Sequence, residues 1–256
     1  GVPGVVDGMI QAHTKFGSLQ PFSKLIEPSV QLAKGGFKLT ENQAAGLNRN
    51  KENFETYNTA PTSFLKDGKD WEAGDLLIQP ELAQTLKMVQ EKGRAGFYEG
   101  AVADLIVAEM DRGNGMITHE DLASYSAKWR DAITISYKDY EVIGMPPPSS
   151  GGIALAQLLK IVENYPVDSW GFQDLKTIHL MVEAERRVYA DRAKHLGDPD
   201  FYPVPVDGLL NPEYLQQRMA DFSEAQATLS ADVAAGTPTP PIEKEETTHF
   251  SIVDKE

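Results

Sequence analysis

The sequence predicts an α+β protein that is mainly helical, with one β-hairpin near its middle and a strand at its C-terminal end. Apolar residues recur at the spacing of an amphipathic helix over most of the 256 residues. Ile133, Ile135 and Tyr137 instead alternate with polar residues, which is the two-residue period of a half-buried strand. Residues 247–256 return to a strand-like pattern.

In the first half of the chain, helices are predicted from apolar spacing and from residues that begin or end a helix. Thr40 and Thr118 are side chains that cap a helix N-terminus, and Pro80 suits a first helical position. Gly93 and Gly113 are typical helix ends. The predicted helices follow Pro3 and cover residues 28–35 (beginning near Pro28), 40–57, 80–92, 101–112 and 118–125, with an irregular stretch at 71–78.

The hairpin is predicted over residues 133–143, with Lys138 and Asp139 in the turn. The run PPPSSGG at 146–152 then connects it to a helix. Two glycines at a helix N-terminus allow close approach of an anion, but a plain strand-to-helix connection capped by Ser149 or Ser150 is the simpler interpretation.

Helical periodicity dominates the second half of the chain as well. It returns at Ile153, and a further helix is predicted to begin at Pro212. The longest predicted helix covers residues 174–195, in which Glu183 and Arg187 are expected to pair across one turn. Its predicted apolar stripe consists of Ile178, Met181, Val182 and Tyr189.

Three regions are expected along the chain. Residues 1–233 form a mostly helical portion, residues 234–246 form a flexible linker rich in proline and glutamate, and residues 247–256 begin a strand. The chain has no initiator methionine, and its final strand would lack a partner, so we expect it to be an excerpt of a longer protein.

Composition excludes several classes of function. A formal net charge of −14 argues against a nucleic-acid-binding surface. No stretch approaches the ~18 apolar residues of a membrane span. The absence of cysteine excludes a thiol nucleophile and a cysteine-ligated metal site.

The sequence EETTHF at residues 245–250 could carry chemistry. The hydroxyl of Thr247 could attack the carbonyl of Glu246, and hydrolysis of the resulting ester would make Thr247 a new N-terminus. Its α-amine, with a pKa near ~8, could then act as general base for its own hydroxyl. The local pattern alone favours a simpler interpretation, a linker followed by a half-buried strand.

Histidines give weaker signals. His179 and Glu183 lie one helical turn apart and could be two metal ligands, but a site needs a third, so a hydrogen bond at the helix surface is the favoured interpretation. His13, His119 and His195 have no partner pattern and are expected to be structural.

Several segments, in this order along the chain, resemble the γ-glutamyltranspeptidases, members of the N-terminal-nucleophile hydrolase superfamily. The matching segments are GVPG at 1–4, LIEP at 25–28, WR at 129–130, PPPSSGG at 146–152, EA at 183–184, YADR at 189–192, LGDPDF at 196–201 and TTHFS at 247–251. They extend over essentially the whole chain.

The resemblance implies a four-layer αββα sandwich in the complete protein and self-cleavage between Glu246 and Thr247. Thr247 would then be the catalytic nucleophile, with Thr248 as a supporting neighbour. It would take the γ-glutamyl group of glutathione or a similar amide as an acyl-enzyme, without a metal or organic cofactor. Implied partners are the small-molecule substrate and the remainder of the precursor, including the small subunit, and the implied location is periplasmic or secreted.

Departures from the family pattern limit what can be carried over. The arginine that holds the substrate carboxylate lies upstream of the GVPG segment in the family, and the oxyanion-hole residues lie downstream of the segment matching Asp254. The fragment alone is therefore expected to be inactive and to expose apolar surface. A related acylase, or a non-catalytic helical module of shared ancestry, remains the alternative.

Overall fold

The computed structural model describes residues 1–58, 60 and 62–238. The chain divides into two units, Gly1–Trp129 and Arg130–Glu256. Residues 247–256, predicted to begin a strand, and residues 239–246 of the predicted linker lie outside the described residues.

The described part of the first unit contains helices and one short two-stranded antiparallel sheet. The helices predicted after Pro3 and over 80–92, 101–112 and 118–125 are confirmed. The elements are α1 (Val5–Phe16), α2 (Ser23–Gly35), β1 (Phe37–Lys38), α3 (Glu41–Arg49), α4 (Lys51–Tyr57), β2 (Leu76–Leu77), α5 (Pro80–Lys92), α6 (Ala95–Tyr98), α7 (Ala101–Gly113) and α8 (His119–Ser124).

Three local predictions in this unit need correction. α2 begins at Ser23 and contains Pro28, so the prediction that it starts near Pro28 is wrong. It packs along α5, and burial of an amphipathic face outweighs the preference of one residue. The helix predicted over 40–57 is divided at Asn50 into α3 and α4. The segment 71–78, predicted to be irregular, contains β2, which pairs with β1.

Two predicted helix caps are confirmed in detail. The Thr40 hydroxyl accepts a hydrogen bond from the Gln43 N–H at 3.3 Å, and the Thr118 hydroxyl accepts one from the Asp121 N–H at 3.2 Å. In both cases the side chain three residues on accepts a bond from the capping residue's own N–H. Each pair thereby satisfies two donors that a helix N-terminus leaves free.

A buried carboxylate and a buried phenol hold the N-terminal segment of the first unit. Asp7 is 3% exposed, and its carboxylate accepts a hydrogen bond from the Ala127 N–H at 2.7 Å. The same carboxylate pairs with Arg94 Nε at 3.3 Å. The hydroxyl of buried Tyr98 donates to the Pro3 carbonyl oxygen at 2.7 Å. The GVPG segment at 1–4 therefore lies against the core of its own unit.

The described part of the second unit, residues 130–238, combines the predicted hairpin with helices. The hairpin strands pair antiparallel, with Ile135 opposite Val142, and Lys138 in the turn has a φ of 50°. The elements are β3 (Ile133–Tyr137), β4 (Tyr140–Gly144), α9 (Gly151–Val162), α10 (Val167–Trp170), α11 (Leu175–His195), α12 (Val206–Leu209), α13 (Pro212–Arg218) and a 3-10 turn at Ser230–Asp232.

The predicted apolar stripe of α11 is wrong. Its four residues, which we call the outer face of α11, are exposed: Ile178, Met181, Val182 and Tyr189. The core of the unit instead packs against Leu180, Ala184 and Val188. The error arises because the buried side of α11 also carries charged residues, so apolar spacing alone selected the opposite side.

None of the helices within the described residues has both the length and the apolar character needed to cross a membrane.

Candidate functional site

The predicted nucleophile and its neighbours lie outside the described residues. Thr247, Thr248 and Glu246 all follow Pro238, the last residue that the structure describes. Their roles stay predictions. What the structure does describe is the segment that leads toward them, residues 221–238, and the polar groups that bind it.

A row of polar side chains runs along the buried side of α11 at intervals of four residues. The row consists of Glu183, Arg187, Asp191 and His195, all less than 10% exposed. Four-residue spacing places side chains one above the other on one side of a helix. Burial of ionised groups is costly unless each is paired and hydrogen-bonded, so their partners determine whether the arrangement is stable.

Glu183 has partners for both carboxylate oxygens. Its Oε1 accepts a hydrogen bond from the Thr228 N–H at 2.9 Å and pairs with Arg186, while its Oε2 accepts one from Arg187 Nη1 at 2.8 Å. Desolvation acts to raise the pKa of Glu183, but the hydrogen bonds from Thr228, Arg187 and Arg186 outweigh it and lower the pKa to about 2. Glu183 is therefore a charged structural group.

Arg187 connects the same row to the start of the bound segment. Its Nη2 donates to Asp221 Oδ1 at 2.7 Å, and its Nε donates to the same oxygen at 3.2 Å. The hydrogen bond from Arg187 lowers the pKa of Asp221. The predicted pairing of Glu183 with Arg187 is confirmed, but it is buried rather than exposed on the helix surface.

Asp191 organises a second group further along α11. Its Oδ2 accepts a hydrogen bond from the Tyr214 hydroxyl at 2.7 Å and one from Arg218 Nε at 3.2 Å. Its Oδ1 accepts one from the backbone N–H of Gly236 at 2.8 Å. Burial, followed by the hydrogen bond to Asp191, raises the pKa of Tyr214, so the phenol remains a neutral donor.

Two further bonds close this group around the backbone at residues 234–236. His195 Nε2 donates to the Gly236 carbonyl oxygen at 2.8 Å, and Arg218 Nη2 donates to the Ala234 carbonyl oxygen at 2.9 Å. We call Asp191, His195, Tyr214 and Arg218 the Gly236 clasp. The first described residues of the predicted linker are thus bound to α11 and α13.

Gly236 fits the clasp because it has no side chain. A Cβ there would lie 2.8 Å from Arg218 Cδ and closer still to the Tyr214 hydroxyl oxygen. Real Cβ atoms do not approach other heavy atoms so closely, so any larger residue would push the clasp apart.

The run PPPSSGG at 146–152 is explained by packing between the end of β4 and the start of α9. A Cβ on Gly152 would lie 2.9 Å from the Met145 nitrogen, and one on Gly144 would lie 2.7 Å from the Gly152 Cα. Ser149 Oγ accepts a hydrogen bond from the Gly151 N–H at 3.3 Å. The segment is a strand-to-helix connection in which Ser149 binds the Gly151 N–H, whereas the N-cap residue Ser150 makes no capping bond with its side chain.

Three other matching segments make contacts within the second unit, two with each other and one with the serines before α9. Arg130 Nη2 pairs with Asp200 Oδ2 at 2.9 Å and with Asp198 Oδ1 at 3.4 Å, which joins WR at 129–130 to LGDPDF at 196–201. Arg192 Nε donates to Ser150 Oγ at 2.8 Å, which joins YADR to the serines before α9.

The histidines take part in hydrogen bonds rather than in a recognisable metal site. His179 Nε2 donates to the Ser223 carbonyl oxygen at 2.8 Å, while the oxygens of Glu183 are occupied as described above. His13 bonds the Leu19 carbonyl oxygen at 2.7 Å, and His119 bonds Asp104 at 2.9 Å. Within residues 1–58, 60 and 62–238, no three histidine or acidic side chains are grouped so as to hold a metal ion.

Comparison with known proteins identifies the family. The model of the γ-glutamyltranspeptidase family matches residues 1–256. The chain belongs to this family. A glutathione hydrolase proenzyme of Pseudomonas aeruginosa is 43% identical, over 99% of this chain and 44% of the relative. The chain therefore spans less than half the length of this relative.

Solved structures agree with the family assignment. The γ-glutamyltranspeptidase of Helicobacter pylori has a TM-score of 0.87 at 39% identity, over 97% of this chain and 70% of that one. A cephalosporin acylase from Bacillus halodurans has a TM-score of 0.81 at 27% identity, over 91% of this chain and 43% of that one. The chain is thus similar to both kinds of enzyme in this region.

Sequence reasoning missed the Gly236 clasp and most of the polar row. The signal was present, because Glu183, Arg187, Asp191 and His195 recur at intervals of four on one predicted helix. Of this row, the sequence analysis predicts only the pairing of Glu183 with Arg187. The partners Tyr214, Arg218 and Gly236 are distant in sequence and carry no comparable signal.

Proposed function

We propose that the whole protein of which this chain is a part is a γ-glutamyl hydrolase and transferase that acts on glutathione and related γ-glutamyl amides. The observation that carries the proposal is the family match over residues 1–256, which includes the TTHF segment. A relative 43% identical over 99% of the chain is named a glutathione hydrolase proenzyme, and that name supports both the substrate and a processed precursor.

The proposed activation step is self-cleavage before Thr247. The Thr247 hydroxyl oxygen attacks the carbonyl carbon of Glu246, and the bond from that carbon to the Thr247 nitrogen breaks as the nitrogen takes a proton. Water then hydrolyses the ester, which releases the Glu246 carboxylate and regenerates the hydroxyl. Thr247 is left with a free α-amine, whose ordinary pKa near ~8 suits a general base for the adjacent hydroxyl.

The proposed catalytic cycle is acyl transfer through the same threonine. The hydroxyl attacks the γ-carbonyl of the substrate, the amine leaves with a proton, and a γ-glutamyl ester forms on Thr247. Water or the amine of an amino acid or peptide then accepts the acyl group. Thr248 is proposed as a supporting neighbour. The chemistry as proposed requires no metal or organic cofactor.

The remainder of the precursor is the proposed partner of this chain, and together they would form the αββα sandwich. The outer face of α11 supports this: Met181 is 47% exposed and Tyr189 is 57% exposed, and adjacent exposed apolar residues are typical of surfaces that another element covers. Export to the periplasm or secretion is proposed from the resemblance alone.

Intact-mass analysis of the full-length precursor during incubation tests the proposal. The expected result is two fragments that separate at Glu246–Thr247 in the wild type, and an unchanged mass in Thr247→Ala. Turnover of a γ-glutamyl anilide should appear with cleavage. A folded wild-type precursor that stays intact would contradict the proposal and favour a non-catalytic helical module.

A related acylase is the second candidate, because the cephalosporin acylase of Bacillus halodurans has a TM-score of 0.81 over 91% of this chain. The processed protein can be assayed with a γ-glutamyl anilide and with a cephalosporin that carries an acyl side chain. Preferential turnover of the cephalosporin would favour the acylase.

A further inference from the structure

The Gly236 clasp holds one specific point of the chain by its backbone. Asp191 binds the N–H of Gly236 at 2.8 Å, and His195 binds its carbonyl oxygen at 2.8 Å. Asp191 is 1% exposed and His195 is 8% exposed, so both side chains are buried, while Gly236 itself is half-buried. Both polar atoms of one peptide residue are thus fixed by side chains of a single helix.

The clasp differs from an ordinary loop contact because its formation requires the desolvation of a carboxylate. A carboxylate at 1% exposure loses its hydration, and it is stable only because Tyr214, Arg218 and the Gly236 N–H together replace that hydration. An apolar contact would bind this segment without that requirement, but it would allow the segment to shift by a residue. Fixed donors and acceptors set its register.

We infer that the Gly236 clasp is a positioning device for self-processing, which holds residue 236 in a fixed register so that the Glu246–Thr247 peptide is presented to its reaction site. The inference rests on the proposed function. Gly236 precedes Thr247 by eleven residues, and the clasp residues belong to parts of the chain that take no direct part in the proposed chemistry. They act as positioning residues.

The length of the tether predicts how much cleavage should slow when the clasp opens. When the clasp opens, the next bound point upstream is Ser230, whose hydroxyl oxygen accepts a hydrogen bond from Arg186 Nε at 3.3 Å. The tether to Thr247 then lengthens from eleven to seventeen residues. For the linker that the sequence predicts, effective concentration falls roughly as the −3/2 power of length. The rate of cleavage should therefore fall about twofold or more.

Gly236→Ala opens the clasp without removing any charged group, because the new Cβ collides first with the Tyr214 hydroxyl oxygen and then with Arg218 Cδ. Tyr214→Phe removes the first of these atoms. The double variant should therefore recover part of the cleavage rate that Gly236→Ala loses. Tyr214→Phe alone is unfavourable, so two independently destabilising substitutions would slow cleavage further. Partial recovery of the cleavage rate in the double variant would instead show that the new Cβ acts through the Tyr214 hydroxyl.

The experiment measures the first-order rate of cleavage by intact mass, on full-length precursor made by cell-free synthesis. Tyr98→Phe in the first unit serves as a control for lost stability, and urea unfolding midpoints are measured in the non-cleaving Thr247→Ala background. The expected result is cleavage slowed about twofold or more in Gly236→Ala, partial recovery with Tyr214→Phe, and a normal kcat once processing is complete.

An unchanged cleavage rate in Gly236→Ala would overturn the inference. The inference would also be overturned if Tyr98→Phe lowered the stability of the precursor as much as Gly236→Ala does and slowed its cleavage equally. Absence of cleavage in the wild type is a different outcome, because it would refute the proposed function itself.

Discussion

Replacing Glu183 by glutamine tests how strongly the buried ion pairs stabilise the second unit. Glutamine keeps the shape of the side chain but removes the charge that lies 2.8 Å from the guanidinium of Arg187. Arg187 would keep Asp221 as a partner at 2.7 Å. Because loss of one member of a buried pair leaves a poorly compensated charge, we expect the free energy of unfolding to fall by about 3 kcal/mol at neutral pH.

The lowered pKa of Glu183 gives a second value for the stabilisation that its charge contributes. The pKa of Glu183 falls from 4.5 to about 2 on folding, and one pKa unit corresponds to about 1.4 kcal/mol. The folded state therefore gains about 3 kcal/mol from the ionised carboxylate. As the pH falls, the unfolded chain takes up this proton first. The stabilisation is complete above about pH 5 and is lost progressively from about pH 4.5 to about pH 2.

Urea unfolding at several pH values measures this difference. We expect wild type and Glu183→Gln to differ by about 3 kcal/mol at neutral pH and by less as the pH approaches about 3. Glu185→Gln is the matched control, because Glu185 lies on the same helix but is exposed, and it should change stability by less than about 0.5 kcal/mol. A difference below about 1 kcal/mol at neutral pH, or one that does not narrow in acid, would refute the reasoning.

Three further predictions follow from close contacts and exposed surfaces. Gly152→Ala should lower the free energy of unfolding by about 1–3 kcal/mol, because its Cβ would press on the Met145 backbone, whereas Gly151→Ala should have little effect. Tyr98→Phe should cost about 1–2 kcal/mol through its lost buried hydrogen bonds, while exposed Tyr140→Phe should be neutral in the same urea assay. The 256-residue chain should self-associate through the outer face of α11, which sedimentation velocity at increasing concentration would detect; a monomer throughout would contradict this.

Much of the fold could be predicted because its signals are local. The caps at Thr40 and Thr118, the start of α5 at Pro80 and the hairpin at 133–143 each depend on residues within a few positions of one another. α2 could not be predicted correctly, because its start depends on packing along α5 rather than on Pro28. Local preferences of this kind are weak compared with burial.

The candidate nucleophile is predicted from the family pattern alone. Thr247 is assigned from the TTHF segment, lies outside the described residues and stays a prediction. The Gly236 clasp was missed, because Asp191 and Arg218 are 27 residues apart and become partners only when α11 and α13 pack together. A rule based on apolar periodicity also assumes that charged residues face water, and α11 reverses that assumption.

α11 has charged residues on its buried side and apolar residues on its exposed outer face, and this arrangement has a physical reason. A polar row on the buried side makes directional bonds that fix the position of the segment at 221–236: Asp221 binds Arg187, Thr228 binds Glu183, and Gly236 binds Asp191. Non-directional apolar contacts would not distinguish these positions from their neighbours. The outer face is instead apolar and exposed, and under the proposed function it is the surface on which the remainder of the precursor would pack. The polar side of α11 therefore fixes the position of the 221–236 segment, and its apolar outer side is left for that proposed contact.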